Sequence, residues 1–174
     1  MNAPLQEVIV LPRVTIHASL NPLGGYVSSG AQRVVLDCDT ANEVDDQFAI
    51  AHALGLPEAL DVRGVVSVHN TTAHGPGSRD IYQEEAERVV SLRGAKVPCI
   101  PGAERPMEDR RTPVGSAGLD FLIEEARRGP LTIIATGPAT DVTSLLLATP
   151  EVRESLRAVW LGASRIGRAT NGTR

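Results

Sequence analysis

A chain of 174 residues with 42% hydrophobic and 22% charged side chains can bury one ordinary core, which excludes a disordered tail. Seventeen Lys and Arg against 21 Asp and Glu leave a net charge of -4, and the scattered basic residues exclude a general polyanion binder. Aromatics at 3% give no stacking platform for single-stranded nucleic acid, and no apolar run approaches the ~20 residues that cross a bilayer.

Residues 1–32 read as an N-terminal extension, because Pro4, Pro12, Pro22, Gly24 and Gly25 interrupt any periodic pattern. A short strand is expected at Val8 to Leu11. That apolar stretch stops at Pro12 and has no basic start, so no signal peptide is expected. The two cysteines, Cys38 and Cys99, make a disulfide framework improbable and point to buried thiols in a reducing cytoplasm.

From Arg33 the pattern becomes regular. Val34 to Leu36 is a continuous apolar run, as in a strand buried on both faces, and Asp45 to Leu56 has helical spacing through Phe48, Ile50, Ala51 and Leu54. Strands are then expected at Val62 to Val68, Val97 to Ile100, Leu131 to Ala135 and Ala158 to Leu161. Helices are expected between them at Ser78 to Leu92, Ser116 to Arg128 and Thr140 to Ala148. Strand and helix alternating over short loops imply βαβ units, and so an α/β fold with a mostly parallel sheet flanked by helices. Residues 33–163 form this domain and 164–174 read as an irregular polar tail. Ligands collect at the carboxyl ends of such strands, here Asp37-Cys38-Asp39, His69-Asn70, Pro101-Gly102, Thr136-Gly137 and Gly162-Ala163.

The first of these ends opens the most informative stretch. Asp37, Asp39, Glu43, Asp45 and Asp46 place five carboxylates within ten residues, between a strand end and a helix start. Asp45 and Asp46 are in position to cap the helix and complement its dipole, and Asp37 to end the strand. Capping does not account for five, because carboxylates this close repel one another unless a cation neutralises them. A hard, oxygen-loving cation fits the donor set: calcium first, magnesium second.

The segment Val34-Val35-Leu36-Asp37-Cys38-Asp39-Thr40-Ala41-Asn42-Glu43-Val44-Asp45-Asp46 resembles the N-terminal signature of the inosine-uridine preferring nucleoside hydrolases. In that family a strand ends in Asp-x-Asp and a double Asp follows. The loop from Thr40 to Asp45 is longer than usual and resembles a sub-branch of the family. Val65 to Asn70 resembles the family's second strand. Ile133-Ile134-Ala135-Thr136-Gly137-Pro138-Ala139-Thr140-Asp141-Val142 is similar to its Thr-Gly-x-x-Thr-Asn segment, and Ala158 to Ala163 to the strand before its Gly-Gly turn.

The resemblance implies a nucleoside hydrolase (Rossmann-like) fold and a calcium-dependent N-glycosidase that splits ribonucleosides or related N-ribosides into ribose and base. By the same likeness Asp39 is both metal ligand and the base that takes a proton from a metal-bound water, and Asp46 is the second carboxylate ligand. Asp45 holds a ribose hydroxyl, Asn70 orients the sugar, Thr136 offers its main-chain oxygen to the metal, and Asp37 supports them from beneath. Partners are then a small nucleoside or riboside and further copies in a homo-oligomer, with no nucleic acid and no membrane. Members of the family are nearly twice this length. The chain therefore reads as the N-terminal half of a truncated fold, and little hydrolase activity is expected of it alone.

Other residues have plainer readings. His69 and His74, which flank Asn70, are expected to be structural or exposed, and His17 and His52 have no metal-site spacing. Gly75 to Asp80 lacks phosphate-loop spacing and reads as a tight turn with Ser78 as helix N-cap. Trp160 is expected in the core or the sheet. Two alternatives stay open from the residues. One is a catalytically inactive family member that binds metal or riboside. The other is a haloacid-dehalogenase-type phosphohydrolase, with Asp37 of Asp37-Cys38-Asp39-Thr40 as nucleophile.

Overall fold

A computed structural model describes residues 30–161; the strand expected at Val8 to Leu11 and the tail from residue 164 lie outside them. The elements are β1 (Gln32–Cys38), α1 (Asp45–Ala53), β2 (Leu60–Ser67), α2 (Thr71–His74), α3 (Ser78–Leu92), β3 (Cys99–Pro101), α4 (Ala117–Arg127), β4 (Leu131–Ala135), α5 (Thr140–Ala148) and β5 (Leu156–Trp160). The sheet is five-stranded in the order β3-β2-β1-β4-β5, and every neighbouring pair is parallel. The expected α/β architecture is the one observed.

The central strand explains the layering. In β1 successive side chains alternate between faces. Val35 packs with Leu119, Leu122, Ile133 and Leu145 on the side of α4 and α5. Leu36 and Cys38 pack with Ile50, Ala86, Val89 and Val90 on the side of α1 and α3. Both faces are covered, so the strand reads as an unbroken apolar run. The same alternation sends Asp37, two residues beyond Val35, toward the face that carries α5.

At the amino ends of the strands the register of β1 and β2 slips by one residue between Val34 and Val35. Arg63 is the extra residue of that bulge. Its Nε donates to Glu125 at 3.0 Å, and Arg33 and Arg128 reach the same carboxyl at 2.6 and 2.9 Å. This ion cluster is at the opposite end of the sheet from the aspartates.

Several local expectations need correction. Phe48, placed by periodicity on the inner side of α1, is 71% exposed. The helix is buried instead through Asp46, Ile50 and Ala53, so a carboxylate takes the place of an apolar residue. Neither Asp45 nor Asp46 caps α1, whose N-cap is Val44 without a side-chain bond. The N-cap of α3 is Gly77 at φ 83°, and Ser78 is the first helical residue. Trp160 belongs to the sheet but not to the core, since it is exposed on β5. Cys38 is buried and Cys99 partly buried, both as free thiols. The one-turn α2 and a 3-10 turn at Pro150–Glu154 fall where no element was expected, being too short to show a period.

Candidate active site

Strand order reverses at β1: the chain runs out to β2 and β3 on one side and returns to β4 and β5 on the other. A parallel sheet opens a crevice at such a reversal, beyond the carboxyl ends of the two strands that flank it. Those ends are Asp37-Cys38-Asp39 on β1 and Thr136-Gly137 on β4. The Thr136 and Gly137 amides both donate to the Asp37 carbonyl, at 3.0 and 3.4 Å, which keeps the two strands joined up to the crevice.

The loop leaving β1 turns sharply. The Asn42 amide donates to the Asp39 carbonyl at 2.9 Å, and Ala41 has φ 91°, the left-handed region that side chains avoid. This turn delivers Asp45 and Asp46 as the first two residues of α1. Asp46 folds inward and is 1% exposed, while Asp45 stays at the surface. The Asp39 and Asp46 carboxyls lie close together, and the Thr136 hydroxyl, which donates to Cys38 Sγ at 3.3 Å, is beside Asp46. Burial raises the Asp46 pKa to about 7; the Thr136 hydrogen bond opposes that rise and the Asp39 charge adds to it.

Asn70, just beyond β2, completes the cluster. Its Nδ2 donates to Asp39 Oδ2 at 2.6 Å. Its Oδ1 accepts the Ala73 amide at 3.2 Å and so caps α2. Its own amide donates to Ser78 Oγ at 3.0 Å. Gly137 closes the other side, and a Cβ built there would approach Val68 Cγ1 to 2.6 Å and the Asp39 amide to 3.0 Å. Glycine is required by this close approach. The Trp160 indole donates to the Gly137 carbonyl at 3.0 Å and pins that loop.

Asp37, Asp39, Asp46, Asn70 and Thr136 are therefore brought together, with Asp45 at the rim. Asp37 lies beneath. It is wholly buried, and both carboxyl oxygens lack a hydrogen-bond partner. Burial first, then the charges of Asp141, Asp39 and Asp46, push its pKa well up. A phosphorylated nucleophile needs an accessible oxygen. Asp37 is wholly buried and exposes none, which counts against the phosphohydrolase alternative.

Asp141, within the β4–α5 segment, has no role that its sequence position reveals. The Asp141 side chain is fully buried at the start of α5 and accepts the Ala103 amide at 3.0 Å on each oxygen. Burial raises its pKa to about 6, against the Ala103 and Ser116 hydrogen bonds that lower it. His69 is likewise buried, with Nε2 3.0 Å from Thr140 Oγ1. Its position after β2 was legible; its partner, 71 residues away, was not.

The donor set can be tested for a cation. Asp46 Oδ1, Thr40 Oγ1 and both Asp37 oxygens are buried without partners, and Asp39 and Asp46 lie close together. The orphaned oxygens fit a hard cation. They do not enclose one, because among the described residues no three His, Cys, Asp or Glu side chains form a ligand group. The shell of six to eight oxygens that calcium takes, typically at about 2.4 Å, would need carbonyls, water or substrate as well.

The sequence from Val34 to Thr173 matches the family model described as "Inosine-uridine preferring nucleoside hydrolase". The chain belongs to this family. Among its relatives is the non-specific ribonucleoside hydrolase RihC of Shigella flexneri, 30% identical over 160 residues, covering 78% of this chain and 51% of the relative. The pyrimidine-specific ribonucleoside hydrolase RihA of Salmonella arizonae is 25% identical, covering 77% and 49%. The chain thus spans about half the length of the curated relatives it matches. Among solved structures, the fold is similar to a purine-preferring ribonucleoside hydrolase from Gardnerella vaginalis, with TM-score 0.63 and 20% identity, covering 76% of this chain and 49% of that one. A Bacillus anthracis inosine-uridine preferring nucleoside hydrolase gives TM-score 0.55 at 15% identity, covering 74% and 49%. The family match reaches ten residues past Ala163, where the sequence resemblance was traced. No helix among the described residues is long and apolar enough to cross a membrane.

Proposed function

We propose that this chain is the cation-binding and ribose-recognising part of an N-ribosyl hydrolase that splits nucleosides, or related N-ribosides, into ribose and base. The observation that carries this reading is the buried Asp46, held against Asp39 with one oxygen unpartnered, at the carboxyl end of β1 where the family places its Asp-x-Asp and double Asp.

Asp39, Asp46 and the main-chain oxygen of Thr136 would hold calcium, with magnesium the second choice because it demands a tighter octahedral shell. A bound ion of this kind lowers the pKa of water and gathers ribose hydroxyls into its oxygen shell. The remaining work belongs to the chain. Asp39 takes the proton of the attacking water, and Asn70 fixes the carboxyl that does so by donating to Oδ2. Asp45, at the rim, accepts a ribose hydroxyl. Ionised carboxylates around the sugar stabilise the positive charge that builds on the ribose ring as the base departs. Asp37, buried beneath them, supports the cluster from below.

A second reading, cation and riboside binding without turnover, is favoured by the two-carboxylate donor set of the described residues. Calorimetric titration of the chain with calcium, beside Asp46→Ala, tests the common core of both. Binding lost on substitution supports the site; no binding by the unsubstituted chain would overturn it. Release of free base from inosine or uridine then separates hydrolysis from binding.

A further inference from the structure

We infer that His74 recognises the leaving base, donating from Nε2 to an acceptor atom on a planar heterocycle; this rests on the riboside reading of the aspartate cluster.

The argument starts from hydrogen counting. The Asn70 amide donates to Ser78 Oγ at 3.0 Å. Ser78, fully buried, lies within reach of the Tyr82 phenol, and we assign its hydroxyl hydrogen to that oxygen. Tyr82 is also fully buried, and burial pushes its pKa up to about 12, so the phenol keeps its hydrogen. The phenol oxygen lies 2.7 Å from His74 Nδ1, and we assign the phenol hydrogen to that nitrogen. With these assignments the His74 ring hydrogen is on Nε2, away from Tyr82. An edge-on contact between the two rings, 5.6 Å between centroids at 73°, fixes the plane of the imidazole.

Placement supplies the second part. His74 is exposed, so Nε2 is free to meet a ligand. It is four residues beyond Asn70 on the turn that Asn70 caps, and residues so spaced share a face of a helix. Tyr82, which holds His74, is close enough to Asp39 and Asp46 for their charges to raise its pKa. Asn70 touches Asp39, where the sugar is assigned, and His74 is one helical step outward, about 6 Å along the axis. A nucleoside attached by its ribose to the cluster has its base at that remove. Nucleobases offer carbonyl oxygens and ring nitrogens as acceptors, which suit a single oriented N–H. A buried serine and a buried tyrosine are an elaborate support for a histidine that only meets solvent.

The test uses the 174-residue chain with excess calcium near pH 8, with ribose and inosine as separate probes. Long-range proton–nitrogen spectra assign the His74 tautomer, and His74→Ala identifies its signals. The Nε2–H form is expected. His74→Ala should weaken inosine roughly three- to tenfold, the worth of one hydrogen bond, and leave ribose unchanged. Tyr82→Phe keeps the ring and removes the hydroxyl, so it should release the tautomer preference and weaken inosine alone. Equal effects on both ligands, no effect on either, or an Nδ1–H tautomer would overturn the role of His74 while ribose binding keeps the riboside reading intact. Failure of both ribose and inosine to bind the unsubstituted chain would overturn the riboside reading and the role of His74 with it.

Discussion

Asn70 Nδ2 lies 2.6 Å from Asp39 Oδ2, joining the end of β2 to the end of β1 across 31 residues of sequence. The contact commits one oxygen of Asp39, and the other, Oδ1, lies beside Gly137. It also ties Asp39 to α2, because the same amide group caps that turn through Oδ1. The orientation of the Asp39 carboxylate is therefore set by a neutral donor held at two further points, Ser78 Oγ and the Ala73 amide.

Removing that donor gives the first prediction. Partners that orient a metal-binding carboxylate typically contribute about 10- to 100-fold in affinity. Asn70→Ala should weaken calcium by an amount in that range and lower the melting temperature slightly through loss of the α2 cap. Calorimetry on the two proteins reads the affinity. Equal affinities would show that the Asn70 contact has no part in presenting Asp39.

The buried carboxyls make stability depend on pH in a direction that can be worked out. Asp46 is raised to about 7 and Asp141 to about 6, and Asp37 is raised well above its ordinary value, in each case with burial as the largest cause. A group with a folded pKa above its unfolded one contributes stability that is complete below the unfolded value, 3.8 for these aspartates. That contribution is lost as pH rises through the folded value. Without divalent cations the chain should therefore melt at falling temperature from about pH 5 to about pH 8. Calcium should reverse the trend at the upper end by binding the ionised form. A profile that rises over this window in chelator would contradict the assignment of these groups as neutral in the fold.

How much of this was legible in the sequence follows from what each signal is. The bounds of α3, β4 and α5 are as expected, because apolar periodicity and flanking Gly, Pro and Thr mark both ends. Asp37, Asp39 and Asp46 could be read because they are close in sequence at a strand end. Asp141 and Tyr82 could not. Asp141 resembles any first-turn acid that complements a helix dipole, and only the fold turns it toward the Ala103 amide. Tyr82 looks like an ordinary core residue of an amphipathic helix, and its hydroxyl partner is on a turn too short to have a period. Phe48 failed in the opposite sense: the spacing was right for an inner face that Asp46 occupies instead.

The strained turn after Asp39 provides a stability test. Ala41 has φ 91°, a conformation that costs an L-residue about 1–2 kcal/mol and glycine almost nothing. Ala41→Gly gains that strain energy but loses about 0.4–1 kcal/mol through the greater freedom of glycine in the unfolded chain. The net should be a stabilisation of about 0.5 kcal/mol, or ~2 °C for a chain of this size. Differential scanning calorimetry resolves such a shift. A drop in melting temperature would mean that the loop does not hold this turn in solution.

Gly137 separates the integrity of the site from that of the fold. A methyl group there would approach Val68 Cγ1 to 2.6 Å, the Asp39 amide to 3.0 Å and Asp39 Oδ1 to 3.2 Å. The valine branch is packed inside a small cluster with Ala103 and Val114, and the Asp39 amide is backbone, so neither yields easily. The loop itself must move, and it carries Thr136 with it. Trp160 resists that movement from the other side through its bond to the Gly137 carbonyl. Gly137→Ala should therefore cost about 1–3 kcal/mol, the usual range for overpacking. It should also weaken calcium at least about tenfold, because Asp39 and Thr136 are displaced relative to Asp46. Trp160→Phe in the same background removes the restraint and should recover part of the affinity while the fold stays weakened. Denaturant titration and calcium calorimetry on the single and double variants read the two quantities independently. If Gly137→Ala lowers stability and leaves calcium binding intact, Thr136 and the loop after β4 are not part of the cation site.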